Sequence, residues 1–119
     1  MAKSKNTTDP AVLAAYDAMI AGVPGVVRKG DAIPYTSING NMNSSISKAD
    51  RIGLRLAKDD LEVFLTTHQT TLFEGLPGFF QKEYVSVPPA LLMDVPVLQA
   101  RFRKSHAYAS GLRPKKTTR

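Results

Sequence analysis

The most reactive-looking cluster in this chain is Lys82-Glu83-Tyr84, inside the segment FFQKEYVSVPPALLMD, residues 79 to 94. A lysine, a carboxylate and a phenol side by side are the residue types of proton-transfer chemistry. The alternating Val85 and Val87 that follow mark the segment as a strand, however, and successive strand residues point to opposite faces. Glu83 then shares a face with the valines, whereas Lys82, Tyr84 and Ser86 share the other, so the triplet cannot converge as neighbours on one side. An unpaired glutamate among valines is costly to bury. Glu83 is therefore expected near the sheet margin or paired with a cation such as Arg28 or Lys29.

The remaining candidates for chemistry are few. His68 and His106 are the only histidines, and no His, Asp or Glu triplet has metal-ligand spacing, so both are expected to be structural and no metal is implied. Ser105-His106 and Ser110 lack a G-x-S-x-G elbow, and adjacent helical positions point apart. Gly22-Val23-Pro24-Gly25 lacks the Lys-Ser/Thr of a phosphate loop, and Pro24 has no amide to offer a phosphate. The absence of cysteine removes disulfides, thiolate metal sites and a thiol nucleophile. No cofactor is implied, and the chain reads as non-enzymatic, with a small-ligand enzyme of unknown class as the remaining alternative.

The elements that position these residues follow from periodicity. Asp9-Pro10 opens a helix in which Val12, Leu13, Tyr16, Met19, Ile20 and Val23 recur at helical spacing, ended by Gly22 and Pro24-Gly25. Asn39-Gly40 is a strong hairpin signal between strands at roughly 33 to 38 and 41 to 47. Lys48-Ala49-Asp50 turns into a third strand, Arg51 to Ala57, with Ile52, Leu54 and Leu56 on one face. Asp59 and Asp60 begin a short helix carrying Leu61, Phe64, Leu65 and His68. A fourth strand over 72 to 74, a turn at 75 to 78 and a fifth strand over 81 to 87 follow, with Pro88-Pro89 ending the ladder. After a turn at 90 to 93, Asp94 caps a helix with Val95, Leu98, Phe102, His106 and Ala109 inside, stopped by Gly111.

The predicted order is αβββαββα, an α+β fold of one domain over residues 9 to 111, with a flexible start at 1 to 8 and a basic tail at 112 to 119. A chain of 119 residues with 43% hydrophobic content suits one buried core. Neither an apolar leader segment nor a run long enough to cross a bilayer is present, so a cytoplasmic protein without a membrane partner is expected.

The net charge of +6 is unevenly placed. Residues 1 to 100 hold nine Lys or Arg against ten Asp or Glu, whereas residues 101 to 119 hold seven cations and no acid. Arg101, Lys104, Arg113, Lys115, Lys116 and Arg119 are thus candidate nucleic-acid contacts; about five phosphate contacts on a duplex would give a log affinity against log salt slope of about −4.5. Strand alternation also sends Arg51, Arg55, Lys82, Tyr84, Asn43 and Ser45 to the sheet face away from the helices. That face is expected to be open and basic, with Arg51, Arg55, Lys82 and Tyr84 as candidate partner-binding residues.

Several of these segments, in order, resemble one family. Tyr35-Thr36-Ser37-Ile38-Asn39-Gly40-Asn41-Met42, Ile52-Gly53-Leu54-Arg55-Leu56, Lys82 to Pro88 with Leu91, Leu92 and Asp94, and Ala107-Tyr108-Ala109 look like the N-terminal domain of the TfoX/Sxy competence regulators. The likeness spans most of residues 10 to 115, with Asn43 and Gln81 standing where a large apolar residue is expected. It implies a two-layer sandwich of a five-stranded antiparallel sheet with helices on one face, similar to secretion chaperones, in a bacterial cytosolic protein. Full-length regulators add a C-terminal helix-hairpin-helix domain, so the chain is expected to correspond to the N-terminal domain alone. The family supplies no catalytic residues. The expectation is an interaction module, as a homodimer or with a protein partner, the alternative being an accessory nucleic-acid binder that uses the tail and the open face.

Overall fold

The computed structural model describes residues 8–30, 33–76 and 78–113. Its elements run α1 (Pro10–Ile20), β1 (Tyr35–Ile38), β2 (Asn41–Ile46), β3 (Ile52–Arg55), α2 (Lys58–Thr67), β4 (Leu72–Leu76), β5 (Phe79–Val87), a 3₁₀ segment (Pro89–Met93) and α3 (Val95–Ser110). The predicted αβββαββα order is the one observed. All neighbouring strands are antiparallel, in the spatial order β1-β2-β3-β5-β4.

Local chemistry accounts for most boundaries. The Asp9 carboxylate accepts from the Ala11 amide at 2.8 Å and Pro10 occupies the first turn of α1. Asn39 and Gly40 both take positive φ, 53° and 82°, the geometry of a tight hairpin whose twist matches the strands. Asp94 caps α3 by accepting from the Val97 amide.

The fourth and fifth strands are longer than the sequence pattern predicts. Phe79 and Phe80 pair with Leu76 and Glu74, and the Glu74 carboxylate accepts from the Gly78 amide at 2.6 Å. This capped turn lets the ladder continue across the predicted loop.

One core joins the helices to one face of the sheet. Val12, Tyr16 and Met19 of α1, Phe64 of α2 and Leu98 and Phe102 of α3 pack with Ile46, Ile52, Leu54, Val85 and Val87. Burial of such side chains contributes roughly 1.5–3 kcal/mol each before ordering costs are counted. The inner stripe of α3 differs by one place from the predicted one: Ser105, fully buried, faces the sheet, while His106 is half-buried.

The reason is a buried polar network. A β-bulge between Thr36 and Ser37 of β1 opposes Thr36 to Ser44 but Ser37 to Met42, leaving Asn43 as the extra residue of β2. Asn43 consequently turns to the helix side, which corrects its predicted place on the outer face. Its Oδ1 accepts from Thr36 Oγ1 at 2.7 Å, and its Nδ2 donates to Ser105 Oγ at 3.2 Å. Ser105 Oγ in turn donates to the Asn43 carbonyl at 3.0 Å. Because Thr36 spends its proton on Asn43, Ser44 must donate to Thr36 and Tyr16 must donate to Ser44, the last at 2.6 Å. The chain Tyr16 to Ser44 to Thr36 to Asn43 therefore runs in one direction, with every member buried.

Candidate functional site

The sheet face away from the helices is not the open surface that alternation suggests. Cross-strand register aligns Ser45 of β2, Gly53 of β3 and Ser86 of β5 in one row of small residues. Phe73 of β4 fills this trough: a Cβ on Gly53 would lie 2.5 Å from the Phe73 Cγ. The ring is 1% exposed, and Ser45 and Ser86 beneath it are each 6% exposed. Between Leu72 and Phe73 the register on β5 jumps from Val85 to Gln81, and this irregularity carries the β4–β5 hairpin over the outer face.

Tyr84 lies beside Phe73, with ring centroids 6.2 Å apart, and its hydroxyl donates to the Met42 carbonyl at 2.7 Å. Burial pushes its phenol up to about 12. Tyr84 is thus a buried strut between β5 and β2, which corrects its predicted role as an accessible contact. Arg55 is also committed: its Nε donates to Glu83 at 2.7 Å and Nη1 donates to the Met42 carbonyl at 3.3 Å. The guanidinium also lies 6.0 Å from the Tyr108 ring centroid. Burial, then the neighbouring Glu83 carboxylate, raises the Tyr108 phenol.

The partner of Glu83 therefore differs from the expected Arg28 or Lys29. Arg28 pairs with Asp17 at 3.0 Å, and Lys29 donates to Ser37 Oγ at 3.2 Å. Arg55 wins Glu83 because β3 and β5 are adjacent and Arg55 stands opposite Tyr84, one residue along. Of the four predicted contact residues, Lys82 is exposed and Arg51 half-buried, with the Arg51 Nε shielded from water and unpartnered among the described residues.

The basic candidates separate. Arg101 lies 5.6 Å from the Phe64 ring centroid and Lys104 approaches Asp60 at 3.9 Å. Arg113 is described, and its carbonyl accepts from Asn41 Nδ2 at 3.0 Å. Lys115, Lys116 and Arg119 lie outside the described residues. The His68 ring packs against Phe64 at a tilt of 55°, centroids 4.6 Å apart, and burial followed by the Arg101 charge lowers its pKa. His106 comes within 3.5 Å of the Ser110 hydroxyl, which donates instead to the His106 carbonyl at 2.7 Å. Among the described residues no cluster of His, Cys, Asp or Glu could hold a metal.

Besides Lys82, the start of β5 is also accessible. Phe79 and Phe80 are 68% and 55% exposed, adjacent in sequence and next to β4 at the sheet edge. The sequence pattern places a turn at 75 to 78 and a strand at 81 to 87 and so leaves Phe79 and Phe80 unassigned; the unbroken aromatic pair after Gly78 is the signal available. The opposite edge is partly closed, because Lys29 and Tyr35 exchange backbone hydrogen bonds of 2.8 and 3.0 Å along β1. No described helix is long and apolar enough to cross a membrane. No family model, curated protein or solved structure matches this chain.

Proposed function

We propose that this protein is a non-enzymatic interaction module that self-associates through the β4 edge and the Phe79–Phe80 pair. The observation that carries the reading is the conjunction of an edge strand without a described partner and two exposed phenylalanines beside it. Such edges template pairing with another chain unless charge or a covering segment blocks them. A second copy is the natural occupant, because an antiparallel pairing of β4 with itself is two-fold symmetric and brings both aromatic pairs into one buried patch. The resemblance to the TfoX/Sxy N-terminal domain implies a five-stranded antiparallel sheet with helices on one face, and a five-stranded antiparallel sheet is what supports that reading.

Light scattering at micromolar concentration tests the proposal. The wild-type chain is expected to be a dimer, and Phe79→Ser/Phe80→Ser a folded monomer; a strict wild-type monomer overturns it. Nucleic-acid binding is less supported, since Arg55 is paired to Glu83 and Arg101 and Lys104 are engaged on α2.

A further inference from the structure

The sheet edge opposite β4 carries a short arm. Gly25 and Gly30 both take positive φ, 89° and 90°, and bracket the segment from Val26 to Lys29. Lys29 meets Tyr35 of β1 in an isolated antiparallel bridge. Antiparallel register would next oppose Val27 to Ser37, yet among the described residues no backbone hydrogen bond joins them. Arm and strand therefore part beyond the bridge, and a cleft of about 350 Å³ opens there. That volume falls in the range of small-ligand sites, roughly 300–1,000 Å³.

The walls are accessible and of two kinds. Val26, Val27 and Ile38 supply apolar surface, with Val27 67% exposed, and His106 of α3 also borders the space. The polar groups converge on Ser37. Lys29 Nζ donates to Ser37 Oγ at 3.2 Å and has no carboxylate partner among the described residues. Because the serine oxygen accepts that bond, its own proton is left to donate. The Tyr35 backbone N–H and C=O point to the arm, so strand alternation turns those of Ser37, two residues on, the same way. An ammonium, a hydroxyl and an amide are thus presented together, and no acidic side chain lines the cleft among the described residues.

One ammonium with two neutral donors matches a single negative charge, whereas a dianion would lack a second cation. An aliphatic body on that anion would cover Val27 and Ile38 and remove their apolar surface from water. We infer that this cleft binds a small aliphatic monocarboxylate, its carboxylate held by Lys29 and Ser37 and its chain lying on Val26, Val27 and Ile38. The site stands at the sheet edge away from β4, so its occupancy does not depend on self-association.

Calorimetric titration of the full chain with hexanoate tests the assignment, with hexanamide as the uncharged control and inorganic phosphate as the anion without an aliphatic body. Saturable one-to-one binding of hexanoate is expected, weaker by roughly tenfold for hexanamide, for phosphate and for hexanoate on Lys29→Met. Lys48→Met, which removes an exposed lysine outside the cleft, is expected to keep the wild-type affinity. Absence of saturable binding, equal affinity for hexanamide or phosphate, an unchanged affinity in Lys29→Met, or an equal loss in both lysine variants overturns the inference. The hexanamide comparison on the wild-type chain carries the test if Lys29→Met fails to fold. A short peptide with a free aliphatic carboxyl terminus separates a small molecule from a chain end that pairs along β1. Affinity equal to or below that of hexanoate supports the small-molecule assignment, and a gain of tenfold overturns it.

Discussion

The Phe73 ring sits directly on the backbone of Gly53, so closely that a methyl group at position 53 would come within 2.5 Å of Cγ. This contact decides what the outer sheet face can do. With a side chain at 53, Phe73 could not sit as closely in the trough between Ser45 and Ser86, and the β4 side of the hairpin would stand further from β3, whose ladder with β5 would remain. The presentation of Phe79 and Phe80 depends on that seat.

Gly53→Ala is expected to destabilise the protein. Alanine in a strand gains roughly 0.5–1 kcal/mol over glycine by restricting the unfolded chain, but overpacking against a fixed ring costs about 1–3 kcal/mol. Phe73 is 1% exposed and packs beside Tyr84, so displacing its ring disturbs a buried contact. The balance is a loss on the order of 1–2 kcal/mol. Urea denaturation reads it, and an unchanged or higher midpoint would show that the hairpin moves freely on the sheet.

Alkaline stability should report on Tyr16. Burial pushes its phenol up to about 12 from an ordinary 10.0, against a smaller opposing pull from Ser44. The unfolded chain ionises this tyrosine first, so the native state binds the extra proton between those values. Stability from the buried phenol is intact below pH 10 and is lost as pH rises through the folded value. Two units correspond to about 3 kcal/mol. Tyr16→Phe should flatten that slope between pH 10 and 12 while lowering stability near neutrality by about 1–2 kcal/mol, because Ser44 loses its donor. A variant with the wild-type slope would remove Tyr16 as its source.

The sequence makes the order of elements legible because the periods, caps and hairpin turn agree with one another. Strand alternation also places Ser45, Ile52, Leu54 and Ser86 on their observed faces. It fails at Asn43, since a bulge adds one residue and turns the side chain to the other side, and nothing in the local residue types announces it. It fails differently at Tyr84, whose face is as expected but whose burial depends on Phe73 of the neighbouring strand and on the Met42 carbonyl of β2 closing over it. Facing is a local property and can be read from spacing; coverage is a tertiary one. The open basic surface was an inference about coverage, which is why Arg55 and Tyr84 proved to be struts while Lys82 stayed exposed.

The bulge makes Asn43 expensive to replace despite its polar character. Asn43→Leu leaves Thr36 Oγ1 without its acceptor and Ser105 Oγ without the amide donor, both at fully buried positions. A loss of about 1–3 kcal/mol is expected, and Ser105→Ala in the same background should cost less than in the wild type. Thermal unfolding of the four members of that cycle measures the coupling. Strict additivity would mean that the two residues act independently.

Acid stability depends on His68 in the opposite sense to Tyr16. Its Nε2 is buried without a described partner, its ring packs on Phe64, and burial followed by the Arg101 charge holds its pKa below 6.5, with Asp94 opposing. The unfolded chain takes up the proton first as pH falls, so stability is full above pH 6.5 and declines as pH drops through the folded value. Arg101→Gln removes the like charge but not the burial, so it should raise the His68 pKa only part of the way back. It should also narrow the gap in stability between neutral and mildly acidic buffer. Ring-proton NMR titration of His68 in both proteins reads the first effect, and denaturation at the two pH values reads the second. A His68 that titrates at its ordinary value in the wild type would mean that the α2 C-terminus is open to water, and that Arg101 over Phe64 does not shield it.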